Sequence, residues 1–281
     1  MQTLTQIRAM LEAHGLSPRH AFGQNFLLDH NLIRALVDAS GVGTGDLVLE
    51  VGPGTGTLTE ELLARGARVV ACEIDRGLAA ILRERLGGNP AFTLVEGDCL
   101  DGKHALNPAL LAALGGVSGD APFRLVANLP YSAGTPVMTI LLADIPRCAG
   151  LFVTVQLEVA QRLAAAPGSK EFGPLGVLAQ SVADVRLLAK LPRECFWPRP
   201  DVTSAMVALT RRPTPRTADA RALVDFAQRL FAARRKQLGA VLGRSRPFPE
   251  GIDPAARAES LTIEQFETLR LWAAEDPGAR R

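Results

Sequence analysis

The chain has 281 residues, of which 47% are hydrophobic and 21% charged, a balance that builds a sizeable packed core and argues against a disordered chain. The formal net charge of +2 excludes little until it is divided along the chain. No apolar run reaches the roughly 18 residues of a membrane span, and Met1-Gln2-Thr3-Leu4-Thr5 lacks the basic and apolar regions of a secretory signal, so a soluble, cytoplasmic protein is expected.

Taken in chain order, residues 47–51, 68–73, 92–96, 123–127 and 151–156 read as buried strands. They are short, rich in Val, Leu and Phe, and bounded by Gly, Asp or Asn. Helical spacing over 57–64, 77–86 and 136–142 alternates with them. The alternation predicts an α/β fold, an open parallel sheet with helices on both faces. Two later strands, 185–191 and 205–210, are expected to complete one edge in antiparallel sense. Cys72, Cys99, Cys148 and Cys195 are far apart, with no C-x-x-C spacing. They are expected to be buried thiols, with neither a metal site nor a disulfide framework.

Pro213-Thr214-Pro215 reads as a linker, because two prolines in three residues end any helix. Beyond it, 218–242 and 253–274 read as helices, the second opened by Asp253-Pro254 as N-cap and first-turn proline. Thr262 and Gln265 have capping-box spacing. The expected division is 1–210 for the sheet domain and 211–281 for a small all-α domain. From Ala205 onward there are 14 Lys and Arg against 9 Asp and Glu, leaving 17 against 20 in the preceding residues. A basic tail on a slightly acidic body suits a polyanionic partner.

Glu50-Val51-Gly52-Pro53-Gly54-Thr55-Gly56 follows a strand and opens a helix. Glycines stand where the backbone must turn sharply and approach a ligand with no Cβ in the way. The spacing is G-x-G-x-G and not the G-x-G-x-x-G of dinucleotide enzymes, which disfavours an NAD enzyme. It resembles motif I of the class I methyltransferases, whose loop wraps the amino acid and ribose parts of S-adenosylmethionine. Glu73, at the end of the next strand, is placed to accept from ribose hydroxyls, as an acid of NAD enzymes also is. Asp98, after the third strand, is placed to meet the adenine amino group of the cofactor. As isolated acids at strand ends, either also reads as a helix N-cap.

Asn128-Leu129-Pro130-Tyr131 follows the fourth strand, at the edge of the sheet where ligands bind. The lone pair of adenine N6 is conjugated into the ring and attacks poorly. Two acceptors, the Asn128 side-chain oxygen and the Pro130 carbonyl, are expected to hold the N6–H groups and stabilise charge as it develops. Tyr131 offers a flat face for a base lifted from its helix. No general base is evident and none is expected to be needed, since the amine becomes more acidic once methylated and can lose its proton to water.

With these segments in hand the chain resembles the ribosomal RNA adenine N6,N6-dimethyltransferase family from about Phe22 onward. Phe22-Gly23-Gln24-Asn25-Phe26-Leu27 is similar to that family's N-terminal signature, which closes over the cofactor; the residues alone read as the amphipathic start of a helix. The resemblance implies a class I methyltransferase Rossmann-like sheet and S-adenosylmethionine held by Asn25, Leu27, Gly52, Gly54, Gly56, Glu73, Asp98 and Asn128. Gln156-Leu157-Glu158-Val159-Ala160-Gln161-Arg162-Leu163 is similar to the segment after the family's fifth strand. Phe196-Trp197-Pro198-Arg199-Pro200-Asp201-Val202-Thr203-Ser204 resembles the family's F-x-P-x-P-x-V-x-S motif, which implies that Phe196 stacks on the target base opposite Tyr131. A core aromatic is the alternative for Phe196.

Arg234-Arg235-Lys236 and Gly251-Ile252-Asp253-Pro254, followed by Arg257-Ala258-Glu259, resemble the small-subunit branch. That branch dimethylates two adjacent adenosines of 16S rRNA. Its partner is an assembling 30S particle, and a monomer is expected. Arg229, Arg234, Arg235 and Lys236 are then expected on RNA phosphates, with a solvated helix face as the alternative. Two departures stand out: the family's basic cluster thins to Arg19-His20-Ala21, and Asp201 stands where a base is common. A resistance-type 23S rRNA methyltransferase and a ribosome assembly or transcription factor retaining the fold are the competing readings.

Overall fold

The computed structural model describes residues 1–19, 23–102, 104–244 and 246–275. Helix α1 (Leu4–Ala13), the two-residue β1 (Phe26–Leu27) and α2 (His30–Ser40) precede the sheet. Then come β2 (Leu47–Val51), α3 (Thr57–Ala64), β3 (Arg68–Glu73), α4 (Arg76–Leu86) and β4 (Phe92–Glu96). A small hairpin of β5 (Leu100–Asp101) and β6 (Ala105–Leu106) leads to α5 (Pro108–Ser118). The second half adds β7 (Phe123–Asn128), α6 (Tyr131–Asp144), β8 (Cys148–Gln156), α7 (Leu157–Leu163) and α8 (Pro174–Val182). It closes with β9 (Ala183–Leu191), β10 (Phe196–Trp197) and β11 (Ser204–Arg211), followed by α9 (Ala220–Ala232), α10 (Leu238–Leu242) and α11 (Ile263–Ala274).

The seven-stranded sheet runs β4-β3-β2-β7-β8-β11-β9. Its first five strands are parallel, while β11 lies antiparallel to β8 and β9 antiparallel to β11. The chain winds outward from β2 through β3 to β4, then returns to β7 beside β2. Strand order therefore reverses between β2 and β7, where such sheets open a ligand crevice. Alternate residues fill the two faces. Leu47, Leu49, Val51, Leu125 and Ala127 pack with α5, α6 and α8, whereas Val48 and Val126 pack with α2, α3 and Leu82 of α4.

The expected strands stand, with β8 starting earlier than 151 and β9 starting at Ala183. Helix α6 begins at Tyr131, ahead of the expected 136, because Pro136 sits inside it at the cost of one hydrogen bond. The C-terminal helices are shorter than expected. A turn over 233–237 separates α9 from α10, and the Asp253 carboxylate caps a turn at Ala255, so the long helix opens only at Ile263. Thr262 and Gln265 do form the capping box there. The core of this helical segment (Leu223, Leu230, Phe266, Leu269) also draws in Ala165, Phe172 and Val177 from before residue 210. Helix α9 is thus built onto α8 and the loop ahead of it, although the chain changes character only after β11. Among the described residues, no helix is long and apolar enough to cross a membrane.

Candidate active site

Each of the three glycines of the first loop has a positive φ: 71° at Gly52, 62° at Gly54 and 88° at Gly56. The backbone there occupies the left-handed region, where a side chain is strained. A Cβ on Gly52 would lie 2.8 Å from Pro130 Cγ, and one on Gly54 would lie 2.9 Å from Phe26 Cε1. The loop is thus pressed between the Asn128–Tyr131 segment and the N-terminal strand. Gly56 serves differently: it stands at the N-terminus of α3 against Leu82 of α4, behind the cavity and not on its wall.

The cavity between these segments encloses about 260 Å³. It is lined by Asn25 and Leu27, Gly52 and Gly54, Glu73, Asp98, and the run Asn128 to Tyr131. Seven of the expected cofactor residues therefore converge, from the C-terminal ends of β2, β3, β4 and β7 or the turns just beyond them and from the N-terminal segment; Gly56 is the exception. Phe22, His20 and Ala21 lie outside the described residues.

Glu73 is 4% exposed. Its Oε2 accepts from Gly54 N at 3.1 Å and its Oε1 from Asp75 N at 2.9 Å, so one carboxylate ties the glycine loop to the start of α4. Burial nonetheless pushes its pKa up to about 7. Glu50, 1% exposed, accepts from Thr59 Oγ1 at 2.7 Å. Burial pushes it further, to about 8. Asp98 is exposed and accepts from Leu100 N at 2.9 Å, which fixes the turn beyond β4.

At the end of β7, Asn128 Nδ2 donates to the Asn25 carbonyl at 2.8 Å, and Thr154 Oγ1 donates to Asn128 Oδ1. Tyr131, the only tyrosine of the chain, is half-buried, with its hydroxyl 2.6 Å from Ser204 Oγ. Burial raises its pKa, and the Ser204 hydrogen bond partly offsets this.

Three expectations are corrected. The Pro130 carbonyl accepts from Ala133 N at 3.1 Å and Gly134 N at 2.9 Å, so it belongs to the first turn of α6. Among the described residues no hydrogen bond ends on the Leu129 carbonyl, and Leu129 lines the cavity. Among the described residues, the backbone carbonyl beside Asn128 that is left without a hydrogen bond is therefore that of Leu129, and Pro130 shapes the turn. Phe196 is 2% exposed and off the cavity wall. It pairs with Leu27 across the β1–β10 bridge and packs in the core with Ile33 and Leu36, so the core alternative holds. Its neighbour Trp197, only partly buried, stacks on Phe26 with centroids 6.1 Å apart and carries the Arg8 guanidinium above it.

Arg234 is the third. Its guanidinium pairs with Glu259 at 2.5 Å and donates to the Lys170 carbonyl at 3.0 Å, binding the turn after α9 to the 165–172 loop. Arg235 and Lys236 are exposed and Arg229 is half-exposed, with no ion pair among the described residues. Thr154 was invisible to sequence reasoning, and Ser204 stood only as the last residue of the F-x-P-x-P-x-V-x-S segment, with no site role read for it. Both are ordinary strand residues until β7, β8 and β11 are laid side by side.

The chain that builds this pocket is similar to known proteins. A model of ribosomal RNA adenine dimethylases matches residues 15–275. Ribosomal RNA small subunit methyltransferase A of Phenylobacterium zucineum is 42% identical over 282 residues, covering 98% of this chain and 95% of that protein. Its namesake in Moorella thermoacetica is 40% identical over 274 residues, covering 93% and 94%. Among solved structures, the 23S rRNA methyltransferase ErmE is 26% identical with a TM-score of 0.63, covering 88% of this chain and 98% of its own. A dimethyladenosine transferase from Plasmodium falciparum shares the fold at a TM-score of 0.72 and 21% identity, covering 89% and 98%. The match runs through every segment that builds the cavity, and the chain belongs to the ribosomal RNA adenine dimethylase family of methyltransferases.

Proposed function

We propose that the protein transfers methyl groups from S-adenosylmethionine to N6 of two adjacent adenosines in small-subunit (16S) rRNA, each becoming N6,N6-dimethyladenosine. It acts as a cytoplasmic monomer on an assembling 30S particle. The observation that carries this reading is that Asn128 and Leu129, whose carbonyl takes no hydrogen bond among the described residues, line the same cavity as Gly52, Gly54 and Glu73.

The residues present fit the cofactor. Gly52 and Gly54 form a cradle that a Cβ would fill, and Glu73 offers a buried carboxylate able to accept from vicinal hydroxyls. When bound, S-adenosylmethionine supplies an electrophilic methyl on a sulfonium. Asn25, Leu27, Gly52, Gly54, Glu73 and Asp98 would hold it. Asn128 Oδ1 and the Leu129 carbonyl accept the two N6–H groups and favour tetrahedral nitrogen, stabilising positive charge as it develops. Tyr131 supports the face of the flipped base. Alignment of amine and methyl supplies the remaining acceleration, and the released proton passes to water.

Residues 211–281 serve as the RNA-binding domain, with Arg229, Arg235 and Lys236 on phosphates. The names borne by the relatives at 40–42% identity favour the small subunit over large-subunit RNA. Radiolabelled methyl transfer to unmethylated small and large subunits in parallel, with nucleoside analysis, tests the proposal. Dimethyladenosine in the small subunit is expected; label confined to large-subunit RNA overturns it.

A further inference from the structure

Asn128 closes β7, and its direct partner in the parallel register is Thr154 of β8. Thr154 is 1% exposed. A buried strand threonine ordinarily satisfies its hydroxyl locally; this one gives its only proton to the Asn128 side-chain oxygen. On the other side, the Asn25 carbonyl receives the Asn128 amide at 2.8 Å.

The chemistry of these two neighbours removes an ambiguity that an asparagine otherwise keeps. A backbone carbonyl only accepts, so it must face Nδ2, and the amide oxygen is then turned to the one donor on the opposite side. Rotating the amide by half a turn would set two carbonyl oxygens against each other and leave the Thr154 proton without an acceptor. An amide oxygen has two lone pairs. Thr154 takes one and holds the plane, leaving the other for an incoming N–H. The Thr154 carbonyl also accepts from Leu129 N at 3.2 Å, so the same residue anchors both acceptors of the loop.

We infer that Thr154 is a positioning residue for methyl transfer, acting through Asn128 by locking the side-chain oxygen toward the incoming amine. The inference rests on the reading of Asn128 as an acceptor of the adenine N6–H groups. Asn25 completes the lock from the segment that covers the cavity.

The test uses the full chain on unmethylated small subunits, reading single-turnover methyl transfer for wild type, Thr154→Val, Thr154→Ser, Thr154→Ala, Asn128→Ala and the double variant T154V/N128A. Thermal melts and binding of S-adenosylhomocysteine run alongside. T154V is expected to slow transfer roughly 10–100-fold, the range for losing one oriented group at a reacting centre. Affinity for S-adenosylhomocysteine is expected within about twofold of wild type, and T154S within about threefold in rate. In the N128A background, T154V is expected to cost less than about twofold, because the two residues act as one unit.

A purely structural threonine would give a rate loss that persists in the N128A background or that follows the melting temperature, and either result overturns the inference. Wild-type speed in T154V does so too. Should T154V fail to fold, the contrast between T154A and T154S carries the test: equal rates in the two discard the hydroxyl's role. An inactive wild type, with no label at adenine N6, rejects the reading of Asn128 itself and with it this inference.

Discussion

Gly52 and Pro130 meet at the floor of the cavity so closely that a single methyl on Gly52 would sit 2.8 Å from Pro130 Cγ. The two loops they belong to leave adjacent parallel strands, β2 and β7, at the point where strand order reverses. Contact between them brings the pocket's floor next to its acceptor groups. Substituting Gly52→Ala adds the strain of a side chain at φ 71° to this collision with a rigid ring. Strain of this kind costs about 1–3 kcal/mol, so product affinity is expected to fall about 5- to 150-fold by calorimetry with S-adenosylhomocysteine. Gly43→Ala, with nothing within 4 Å of the new methyl, is expected to bind normally.

The buried carboxylates predict a pH dependence. Glu50 and Glu73 are raised from an ordinary 4.5 to about 8 and about 7, chiefly by burial. Between those limits the folded chain binds more protons than the unfolded chain. The contribution of these two groups to stability is therefore full below 4.5 and is lost as pH rises through about 8. Melting curves across this window should show that decline in wild type and a shallower one in Glu50→Gln. Donor-site affinity should move the other way, rising as pH passes about 7, because Glu73 must ionise to accept from both ribose hydroxyls. Glu73→Gln is expected to bind weakly without that rise, and an unchanged rise in this variant would remove Glu73 from the site.

Tyr131 and Ser204 allow a spectroscopic check, since the chain has one tyrosine. The Ser204 hydrogen bond lowers the phenol pKa against a larger rise from burial. Ser204→Ala should shift the tyrosinate absorbance titration further upward. With the ring released from its 2.6 Å anchor, methyl transfer should slow by about fivefold, roughly the 1 kcal/mol of one hydrogen bond, with product binding unaltered.

Arg211 is expected to matter for stability alone. Half-buried, its guanidinium donates to the carbonyls of Cys148 at 2.8 Å, Leu141 at 2.9 Å, Leu142 at 3.2 Å and Ile145 at 3.3 Å, capping the C-terminal end of α6. Arg211→Met strands those acceptors and should cost about 2–4 kcal/mol in denaturant unfolding. Product affinity measured on the folded fraction should be unchanged.

Within the basic C-terminal segment the structure separates two kinds of arginine. Arg235→Ala and Lys236→Ala should weaken RNA binding and reduce the salt slope by about one unit each while leaving the melting temperature near wild type. Arg234→Ala breaks the Glu259 pair and the Lys170 contact, so it should lower the melting temperature first. A salt slope unaltered in R235A and K236A would move the RNA surface elsewhere.

Much of this was legible from the residues in order. Short apolar runs closed by Gly or Asn mark strands, and glycines at G-x-G-x-G spacing mark a loop that must adopt positive φ. Acids and amides at successive strand ends mark one edge of a parallel sheet. These signals are local, because backbone conformation and strand periodicity depend on near neighbours in the chain. Which groups face the cavity was decided only by packing. Phe196 reads equally as a stacking ring or a core ring until its pairing with Leu27 buries it. Pro130 reads as an acceptor until α6 starts on its carbonyl, and Arg234 as a phosphate ligand until Glu259 reaches it. Thr154 carries no signal in sequence at all. Its role exists only because parallel pairing sets β8 beside β7 with Thr154 opposite Asn128, and a hydrogen bond between side chains depends on distance in space, which the order of residues does not record.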